Sequence, residues 1–472
     1  MKQGKGSFAG RVGQVWIAFT DKPITAWGGV ASVVATFLER VDWRSWVERS
    51  VPIRETSNNA RGVYEKVLAQ LLTVLCGGDR FAHMSWWGHG VAAMKKAFGV
   101  EWLPRASSTL TRFWGKVDSH AMAEAWGDRS RAFARQVVSW EGITEDTLNL
   151  DSSVLTRYGR QEGAKKGYNP RKHGRPSHHP LLAFLGSGYV MNVWNRSGDT
   201  WSGQSAREFF QQTVETLGEE FRIRCVLGDT GFYQAPFIEY LEGESYRYII
   251  AAPMSEILQR QIYQVPRDQW RAIAEGIEVA DFWFEHKDQK WTRPRRYVAV
   301  RQEITRRPKA AGKQPSLFKD LDEWKNYRFS AMITNDQTSP PEAIWQEYRP
   351  RSCDENVVKD LKEGYGFAGF CLHGFWATDA VMVLTALVFH NLLHYVNRTI
   401  LSGQGPVAQL KTIRSKWFIL PALLGRFGRA AVLRLGVSDR RLRAKLTYFL
   451  QRIQRLPWRL NCNAVDGGGA VS

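Results

Sequence analysis

The sequence predicts an α/β core between two flanking regions of different character. Strand and helix patterns alternate over residues 147–253, which is the order expected of an α/β layer arrangement. Helical spacing dominates residues 57–117, and residues 411–459 hold thirteen Lys or Arg with a single acid, Asp439. A chain of 472 residues with 44% hydrophobic content is long enough for about three domains.

The N-terminal region, residues 1–140, is predicted to be helical and to bind DNA. Apolar residues at helical spacing run over residues 60–76 and 90–98, and each run ends at glycine. Ser107 or Ser108 then caps a basic helix over residues 109–116 that exposes Arg112. This outlines a helix-turn-helix, whose second helix enters the major groove. Three helices that pack only for stability would give the same pattern, so this alternative stays open.

Residues 141–253 are predicted to form the first part of the core. Gly186-Ser187-Gly188 separates two apolar runs and therefore marks a hairpin. The predicted elements are strands at 148–155, 181–185 and 189–194, a helix at 204–217, a strand at 223–227, a helix at 235–241 and a strand at 246–252. This order is compatible with the ribonuclease-H-like topology, although periodicity does not fix the order of strands in the sheet.

Two acids stand in this core where a ligand site is expected. Asp151 interrupts the strand pattern at 148–155, and Asp229 directly follows the apolar run Cys225-Val226-Leu227. In an open α/β sheet, ligands collect just past the carboxyl ends of the strands. Taken singly, each acid is better explained as a turn or loop residue that only makes a local hydrogen bond.

The remaining chain is predicted to form three segments. Residues 254–339 are a polar, β-rich insertion with strands at 282–285, 297–301 and 327–334 and a basic loop at 306–319. Residues 340–400 form the end of the core, and their apolar run 380–396 is interrupted by His390, Asn391 and His394. That run predicts a buried helix and not a membrane span. Residues 401–472 are a basic C-terminal region with a disordered Gly-rich tail at 464–472.

One stretch places four functional side chains at helical spacing. Tyr348, Arg351, Glu355 and Lys362 lie at offsets of three, four and seven, which would put them on one face of a helix. One acid among cations and a phenol suits a surface that holds a metal ion beside nucleic-acid phosphates. The alternative is a capping box, in which Ser352 begins the helix and Glu355 bonds back to it. Glu355 would then be structural.

The three acids Asp151, Asp229 and Glu355 together indicate a metal-dependent reaction at phosphate. Carboxylates from two neighbouring strands and a helix can hold two divalent cations, with Mg²⁺ preferred and Mn²⁺ accepted. Two such ions activate a hydroxyl nucleophile and stabilise the leaving oxygen. A zinc site at His173, His178 and His179 is the weaker alternative, because loop histidines beside Lys172 and Arg175 are better explained by phosphate proximity or solvation.

The net charge indicates which partners the protein has, and the cysteines indicate its cellular compartment. The formal net charge is +19 and the sequence pI about 9.8, which implies a polyanionic partner, and DNA is favoured over an acidic membrane surface. The five cysteines are odd in number, far apart and without a CxxC pair. They indicate neither a disulfide framework nor a zinc ribbon, and a cytoplasmic location is expected.

Several blocks resemble those of the 1380 family of DDE transposases of bacterial insertion sequences. They are Asp151-Ser152-Ser153, residues 158–170, residues 174–182, and Gly228-Asp229-Thr230-Gly231-Phe232-Tyr233, together with Tyr-x2-Arg-x3-Glu-x6-Lys at 348–362. The last is the signature of the larger cut-and-paste group to which this family is related. The pattern at residues 103–113 has one residue more than the family form.

The resemblance implies a ribonuclease-H-like core in which Asp151, Asp229 and Glu355 form the metal-binding catalytic triad, with two ions per site. It implies that Tyr348, Arg351 and Lys362 contact transposon-end DNA near the scissile phosphate. Related transposases hold a flipped end base on an aromatic residue of the insertion, for which Trp270, Trp283 and Trp291 are the candidates here. A hairpin intermediate on the transposon end is also implied.

The sequence is therefore interpreted as a transposase that binds terminal inverted repeats, cuts the ends and joins them to target DNA. Its partners would be double-stranded DNA and a second copy in a homodimeric synaptic complex, and its location the bacterial cytoplasm, associated with the nucleoid. Two rival functions stay open. One is a ribonuclease-H-like nuclease that only cleaves, and the other is a domesticated DNA-binding protein with an inactive site.

Overall fold

The structure, a computed structural model, describes residues 8–12, 14–55, 61–170, 172–201, 203–287, 291–310, 317, 321–322, 324–403 and 406–461. The side chains of residues 8–11, 89, 310 and 351–355 are outside this description. The chain divides into two compact units. The terminal unit is drawn from Met1–Arg49, Arg54–Leu110 and Ile400–Asn461, and the central unit from Ser50–Ile53, Thr111–Thr399 and Cys462–Ser472.

The terminal unit is mainly helical at its N-terminal side, as predicted. Its α-helices are α1 (Ala35–Arg40, preceded by a π-helical turn at Val30–Val34), α2 (Trp43–Ser50), α3 (Val63–Leu75) and α4 (Val91–Ala97, preceded by a 3₁₀ helix at Phe81–Gly90). The predicted helix at 109–116 is α5 (Ser107–Trp114), whose residues from Thr111 onward are assigned to the central unit. After α3 and α4 the chain turns at Gly77 and Gly99, both at positive φ, where glycine is favoured because it has no Cβ.

Strands at both ends of the chain complete the terminal unit, and local sequence patterns did not predict them. β1 (Phe8–Val12) and β2 (Val15–Ala18) form a hairpin, and β3 (Ile24–Thr25) joins β16 (Ala422–Phe427) and β17 (Ala430–Leu435) in the order β17-β16-β3. The C-terminal side also contains α13 (Leu410–Ile413, continued by a π-helical turn at Arg414–Phe418) and α14 (Arg440–Gln454). The N- and C-terminal regions thus share one small sheet.

The central unit is built on a nine-stranded mixed sheet, so the α/β prediction is confirmed. Its strand order is β12-β13-β14-β15-β11-β10-β4-β8-β9. The strands are β4 (Glu145–Ser152), β8 (Leu181–Leu185), β9 (Val190–Trp194), β10 (Arg222–Gly228), β11 (Tyr248–Ala252), β12 (Arg271–Ala274), β13 (Ile277–Phe284), β14 (Arg295–Glu303) and β15 (Tyr327–Thr334). A smaller sheet contains β5 (Leu155–Thr156), β7 (Pro176–His178) and β6 (Lys165–Lys166).

Strand direction divides the large sheet into three parts. β4, β10 and β11 are parallel neighbours, whereas β8 and β9 continue antiparallel from β4 as the predicted hairpin. On the other side, β15, β14, β13 and β12 continue antiparallel from β11. The strands predicted for the insertion therefore extend the core sheet. The basic loop predicted at 306–319 and the tail at 464–472 lie mostly or wholly outside the described residues.

The central unit also contains α-helices, of which those at 206–217, 235–243, 351–363 and 375–401 match predicted helices, whereas the one at 256–264 lies in the segment predicted to be β-rich. The helices are α6 (His120–Ser139), α7 (Ala206–Leu217), α8 (Ala235–Gly243), α9 (Glu256–Gln264), α10 (Pro341–Tyr348), α11 (Arg351–Glu363) and α12 (Phe375–Leu401). By length and composition α12 could cross a membrane, but 89% of its most apolar window is buried inside the protein. The predicted buried helix is confirmed.

α12 is fixed to the β8–β9 turn by three polar side chains. Asn391 accepts a hydrogen bond from the Val190 backbone N–H at 2.8 Å and donates to its carbonyl. The Nε2 atoms of His390 and His394 lie 3.0 and 2.9 Å from the carbonyl oxygens of Gly188 and Ser187. Because a carbonyl only accepts, both Nε2 atoms carry hydrogen. Burial lowers the pKa of His390 to about 4, so this imidazole is neutral near pH 7.

These contacts predict that the central unit loses stability in acid. The folded-state pKa of His390 is below its ordinary value of 6.5, so its contribution is fully present above about pH 6.5 and is lost as pH falls towards 4. His390→Gln keeps an N–H donor without titrating and should flatten this pH dependence by up to about 3 kcal/mol. Thermal unfolding followed between pH 4 and 8 measures this change, with exposed His173→Gln as the control. Equal pH profiles for the two variants would contradict the prediction.

Candidate active site

The two predicted aspartates lie side by side at one edge of the parallel strands. Asp151 is the second-last residue of β4, and Asp229 directly follows β10. The parallel register pairs Gly228 with Leu150, so the next pair along is Asp229 with Asp151. Neighbouring strands are about 4.8 Å apart and paired residues point to the same face. Both residues are half-buried, and the register therefore brings two carboxylates together where the sequence predicted.

Backbone hydrogen bonds orient both carboxylates. Asp151 Oδ1 accepts from the Ser152 N–H at 2.8 Å, and Asp229 Oδ1 accepts from the Gly231 N–H at 2.9 Å. The second bond caps the short 3₁₀ turn Thr230–Phe232. Asp229 thus has the local turn role that was its alternative explanation, and this role directs its side chain.

A buried histidine lies beside the two acids, and sequence reasoning did not assign it to the site. His179 Nδ1 is 2.7 Å from the Thr200 carbonyl oxygen, so it must donate, while Nε2 is 3.2 Å from Ser152 Oγ. Burial lowers the pKa of His179, whereas the Asp229 carboxylate acts in the opposite direction. The neutral imidazole positions Ser152, the neighbour of Asp151. The His178-His179-Pro180 run was visible in the sequence, but this role depends on tertiary contacts.

The weaker alternative, a zinc site at the loop histidines, is not formed in the described part of the chain. His178 Nδ1 lies 3.0 Å from Arg157 Nε, which can only donate, and its Nε2 lies 2.9 Å from the Glu162 carbonyl oxygen. Both ring nitrogens of His178 and of His179 are therefore occupied by hydrogen bonds. Among the described residues no three His, Cys, Asp or Glu side chains gather where a metal ion could bind.

Tyr348 lies at the same sheet edge as the aspartates. Its hydroxyl donates to the Gly228 carbonyl oxygen at 3.2 Å, one residue before Asp229. Its ring packs against the apolar core between α10 and the sheet. Arg247, which precedes β11, holds the same end of α10 through Glu347 at 2.6 Å and also pairs with Asp336 at 2.8 Å. A phenol and an ion pair therefore fix the end of α10 beside Asp229.

The four signature residues do not share one continuous helix, and this part of the prediction is wrong. Tyr348 ends α10 and Arg351 begins α11, because the chain turns at Arg349-Pro350. Arg351, Glu355 and Lys362 remain on one face of α11, at offsets of four and seven. The predicted roles of the Arg351 and Glu355 side chains lie outside the described residues. Lys362 is half-buried.

The capping-box alternative for Glu355 is wrong. The backbone of α11 is helical from Arg351, directly after Pro350 at the N-cap position. Ser352 is therefore the second helical residue and not the cap.

The donor set at the sheet edge fits a hard divalent cation. Asp151 and Asp229 offer carboxylate oxygens, the ligands that Mg²⁺ and Mn²⁺ prefer. Glu355, the third predicted ligand, is one turn inside α11, whose start follows the Tyr348 anchor. Asp151 and Asp229 thus fit a metal site of oxygen ligands, and the part of Glu355 in that site stays a prediction.

Arg112, the predicted base-reading residue, is exposed on α5. It lines an open cleft of about 580 Å³ in the central unit together with Arg160, His373 and Trp376. The Glu162 carboxylate accepts from the Phe375 N–H at 2.9 Å and so joins one wall of the cleft to the start of α12. Base reading by Arg112 stays a prediction.

The three candidate tryptophans of the insertion differ in exposure. Trp283 is 55% exposed and lines a cavity of about 210 Å³ with Arg293, Arg295 and Arg296. Trp291 is only 5% exposed, and the Arg295 guanidinium covers its ring at 4.1 Å. Trp270 is also buried, under the Arg301 guanidinium. In this structure only Trp283, of the three, has a ring face open to a base.

Comparison with known proteins gives a family match and a structural similarity. Residues 10–458 match the family model described as "Transposase DDE domain group 1". The fold is similar to that of the piggyBac transposase in its synaptic complex with hairpin DNA, at 11% sequence identity and a TM-score of 0.42, over 90% of this chain and 85% of that one. No curated protein sequence matches the chain.

The site predicts binding of Mn²⁺ as a probe of the oxygen ligands. Asp151→Asn and Asp229→Asn each remove a negative ligand while keeping the shape of the side chain, so each should weaken Mn²⁺ binding by at least about tenfold. Isothermal titration calorimetry measures this change. Asp322→Asn, at an exposed aspartate paired with Lys325, should bind Mn²⁺ like the wild type. Equal affinities for all four proteins would exclude a metal site at this sheet edge.

Proposed function

The chain belongs to the family of DDE-domain transposases of group 1, and on that premise we propose that it binds the terminal inverted repeats of a bacterial insertion sequence, cuts the ends and joins them to target DNA. The observation that carries the proposal is the pairing that places Asp229 beside Asp151 at the carboxyl ends of β10 and β4. We assign the chain to the 1380 family and its cut-and-paste relatives on the sequence blocks that contain both acids.

A ribonuclease-H-like core is the fold that we propose for the catalytic part. Three antiparallel strands, β9, β8 and β4, followed by the parallel strands β10 and β11 support this topology. Helices α7 and α8 lie between these strands in sequence. The further strands β12 to β15 would be the β-rich insertion before the catalytic helix α11. We keep the predicted division at residues 140, 253, 339 and 400.

Asp151, Asp229 and Glu355 would hold the divalent cations. DDE transposases generally use such ions, which supply activation of a hydroxyl nucleophile and stabilisation of the leaving oxygen at phosphate. The protein's part is orientation. Backbone N–H groups direct both aspartates, His179 holds Ser152, and the Tyr348 hydroxyl fixes the end of α10 beside Asp229.

DNA would be held by cations on both sides of this site. Arg351 and Lys362 lie on the same face of α11 as Glu355, where they can contact phosphates next to the one being cut. The proposal includes a homodimer in the synaptic complex, base reading by Arg112, and a cytoplasmic, nucleoid-associated location. Trp283 is the residue that we propose stacks on a flipped end base.

The triad predicts loss of cleavage without loss of binding. Asp151→Asn, Asp229→Asn and Glu355→Gln should each lower end cleavage and strand transfer by at least about a hundredfold. DNA binding should be nearly unchanged, because Lys and Arg contacts to phosphate dominate the affinity. The assay uses duplexes that carry the element's own ends, a target plasmid and Mg²⁺, with Asp322→Asn as the control.

The same assay separates the rival functions. Cleavage without joining of the 3′-OH to target DNA would identify a nuclease. Binding of the ends without cleavage by the wild type would identify a DNA-binding protein with an inactive site. Wild-type cleavage by the Glu355→Gln variant would show that Glu355 is not one of the three catalytic acids.

Trp283 and Trp291 predict opposite kinds of defect. Trp283→Ala should reduce end cleavage at an unchanged melting temperature, since base stacking contributes about 1–3 kcal/mol and its ring is exposed. Trp291→Ala should destabilise the protein by about 3–5 kcal/mol, because that ring is buried. Cleavage assays and thermal unfolding on the same preparations measure both effects, and Trp283→Phe should recover part of the activity. Wild-type cleavage by Trp283→Ala would exclude the stacking role.

A further inference from the structure

One side of α14 carries four cations and a tyrosine in a single line. They are Arg441, Lys445, Tyr448 and Arg452, together with Arg455, the residue that directly follows the helix as its C-cap. The offsets of four, three, four and three residues are the repeat of one helix face. All five side chains are exposed. We call this set the basic stripe. With a rise of about 1.5 Å per residue, it extends for about 21 Å.

The buried side of α14 fixes the direction in which the basic stripe faces. Leu446, Phe449 and Ile453 are buried, and the helix packs on α1 within the terminal unit. At roughly 25 cal/mol for each Å² of apolar surface buried, three such side chains hold the helix in this orientation. The cations therefore point to solvent as a consequence of packing.

The basic stripe is not neutralised by neighbouring acids. α14 contains no Asp or Glu, and the single acid between residues 411 and 459, Asp439, accepts from the Leu442 N–H at 2.8 Å as the helix cap. Within the described ranges, Arg441, Lys445, Arg452 and Arg455 make no ion pair with a carboxylate. Four like charges on one helix face repel one another, so the arrangement costs stability unless an anion lies against it.

Aromatic rings hold two of these cations in place without removing their charge. The hydroxyl of Tyr448, which is 53% exposed, accepts from Arg452 Nη1 at 2.9 Å. Lys445 Nζ lies 5.9 Å from the centre of the Trp417 ring, and that ring packs edge-to-face on Phe449. These contacts reduce the side-chain entropy that the cations would lose on binding an anion.

We propose that the basic stripe binds the phosphate backbone of duplex DNA, without reading bases, as a contact surface separate from the catalytic site. DNA is named as the polyanion on the strength of the proposed function. Duplex DNA carries about one negative charge per 1.7 Å of its axis, so a rigid line of about 21 Å meets several phosphates at once. A membrane surface is the less suitable partner, because a helix that binds in the membrane interface inserts its apolar face, and here that face is buried.

The test measures the salt dependence of binding to DNA of random sequence. The triple variant Arg441→Gln, Lys445→Gln and Arg452→Gln keeps good helix formers at exposed positions. If three phosphate contacts are lost, the slope of log affinity against log salt should become shallower by about 2 to 3. Fluorescence anisotropy with a labelled random duplex, titrated with full-length protein at several salt concentrations, gives this slope. Thermal unfolding checks that the variant is folded.

A matched control removes three cations that already have carboxylate partners. Arg222→Gln, Arg306→Gln and Lys325→Gln lower the net charge by the same amount, and these residues pair with Glu145, Glu303 and Asp322. The control should keep a slope close to that of the wild type. An equal change in both triple variants would mean a general effect of net charge and would overturn the proposal.

Further outcomes separate this proposal from the proposed function. If the stripe variant has the wild-type slope while Asp151→Asn still abolishes cutting, DNA binding by the basic stripe is overturned and the proposed transposase function stands. If the slope of the stripe variant is shallower but the wild-type protein does not join ends to target DNA, DNA binding by the basic stripe is supported and the transposase function is overturned. Stripe-dependent binding to vesicles of phosphatidylserine and phosphatidylcholine, with DNA binding unchanged, would overturn the assignment to DNA.

Discussion

The register between β4 and β10 is the constraint on which the proposed site depends. Side chains alternate along a strand, so a slip of one residue would place the Asp151 and Asp229 side chains on opposite faces of the sheet. Buried apolar pairs such as Leu148 with Val226 oppose that slip, because each buried side chain contributes about 1.5–3 kcal/mol. The pairing contains a register shift between Ile223 and Cys225, but it is regular from Cys225 to Gly228, directly before Asp229. Apolar packing thus sets the distance between two charged groups.

The second constraint is the tight end of β10. A Cβ at Gly228 would lie 3.2 Å from Phe232 Cβ and 3.4 Å from Ile250 Cγ1, so glycine lets the turn that Asp229 caps fold closely against the strand. The Gly228 carbonyl also accepts from the Tyr348 hydroxyl. One backbone position therefore links the second aspartate to α10, and through α10 to the start of the helix that carries Glu355. This link joins residues that are more than a hundred positions apart in sequence.

Local patterns in the sequence were enough to predict the elements that flank the site. The apolar run at 181–185, the glycine hairpin, α7 and the strand before Asp229 all have strong local signals, and the structure contains each of them. Contacts between distant residues could not be predicted in this way. β3 has two residues, and its partner β16 lies about 400 residues further along the chain. The break between α10 and α11 was missed because helical spacing continues across Arg349-Pro350 although the helix does not.

The arginines show why net charge alone does not locate a polyanion site. Buried Arg157 donates to the Ala368 carbonyl, Arg196 to the Trp201 and Gln204 carbonyls, and Arg296 to the Asp336 and Ser339 carbonyls. Burial lowers the pKa of Arg196 to about 10, so even a guanidinium becomes less basic when it is buried in the core. These cations count towards the net charge of +19, yet their side chains are almost wholly buried. A cation contributes to binding a polyanion only when packing leaves it exposed and no carboxylate neutralises it, and the sequence does not contain that information.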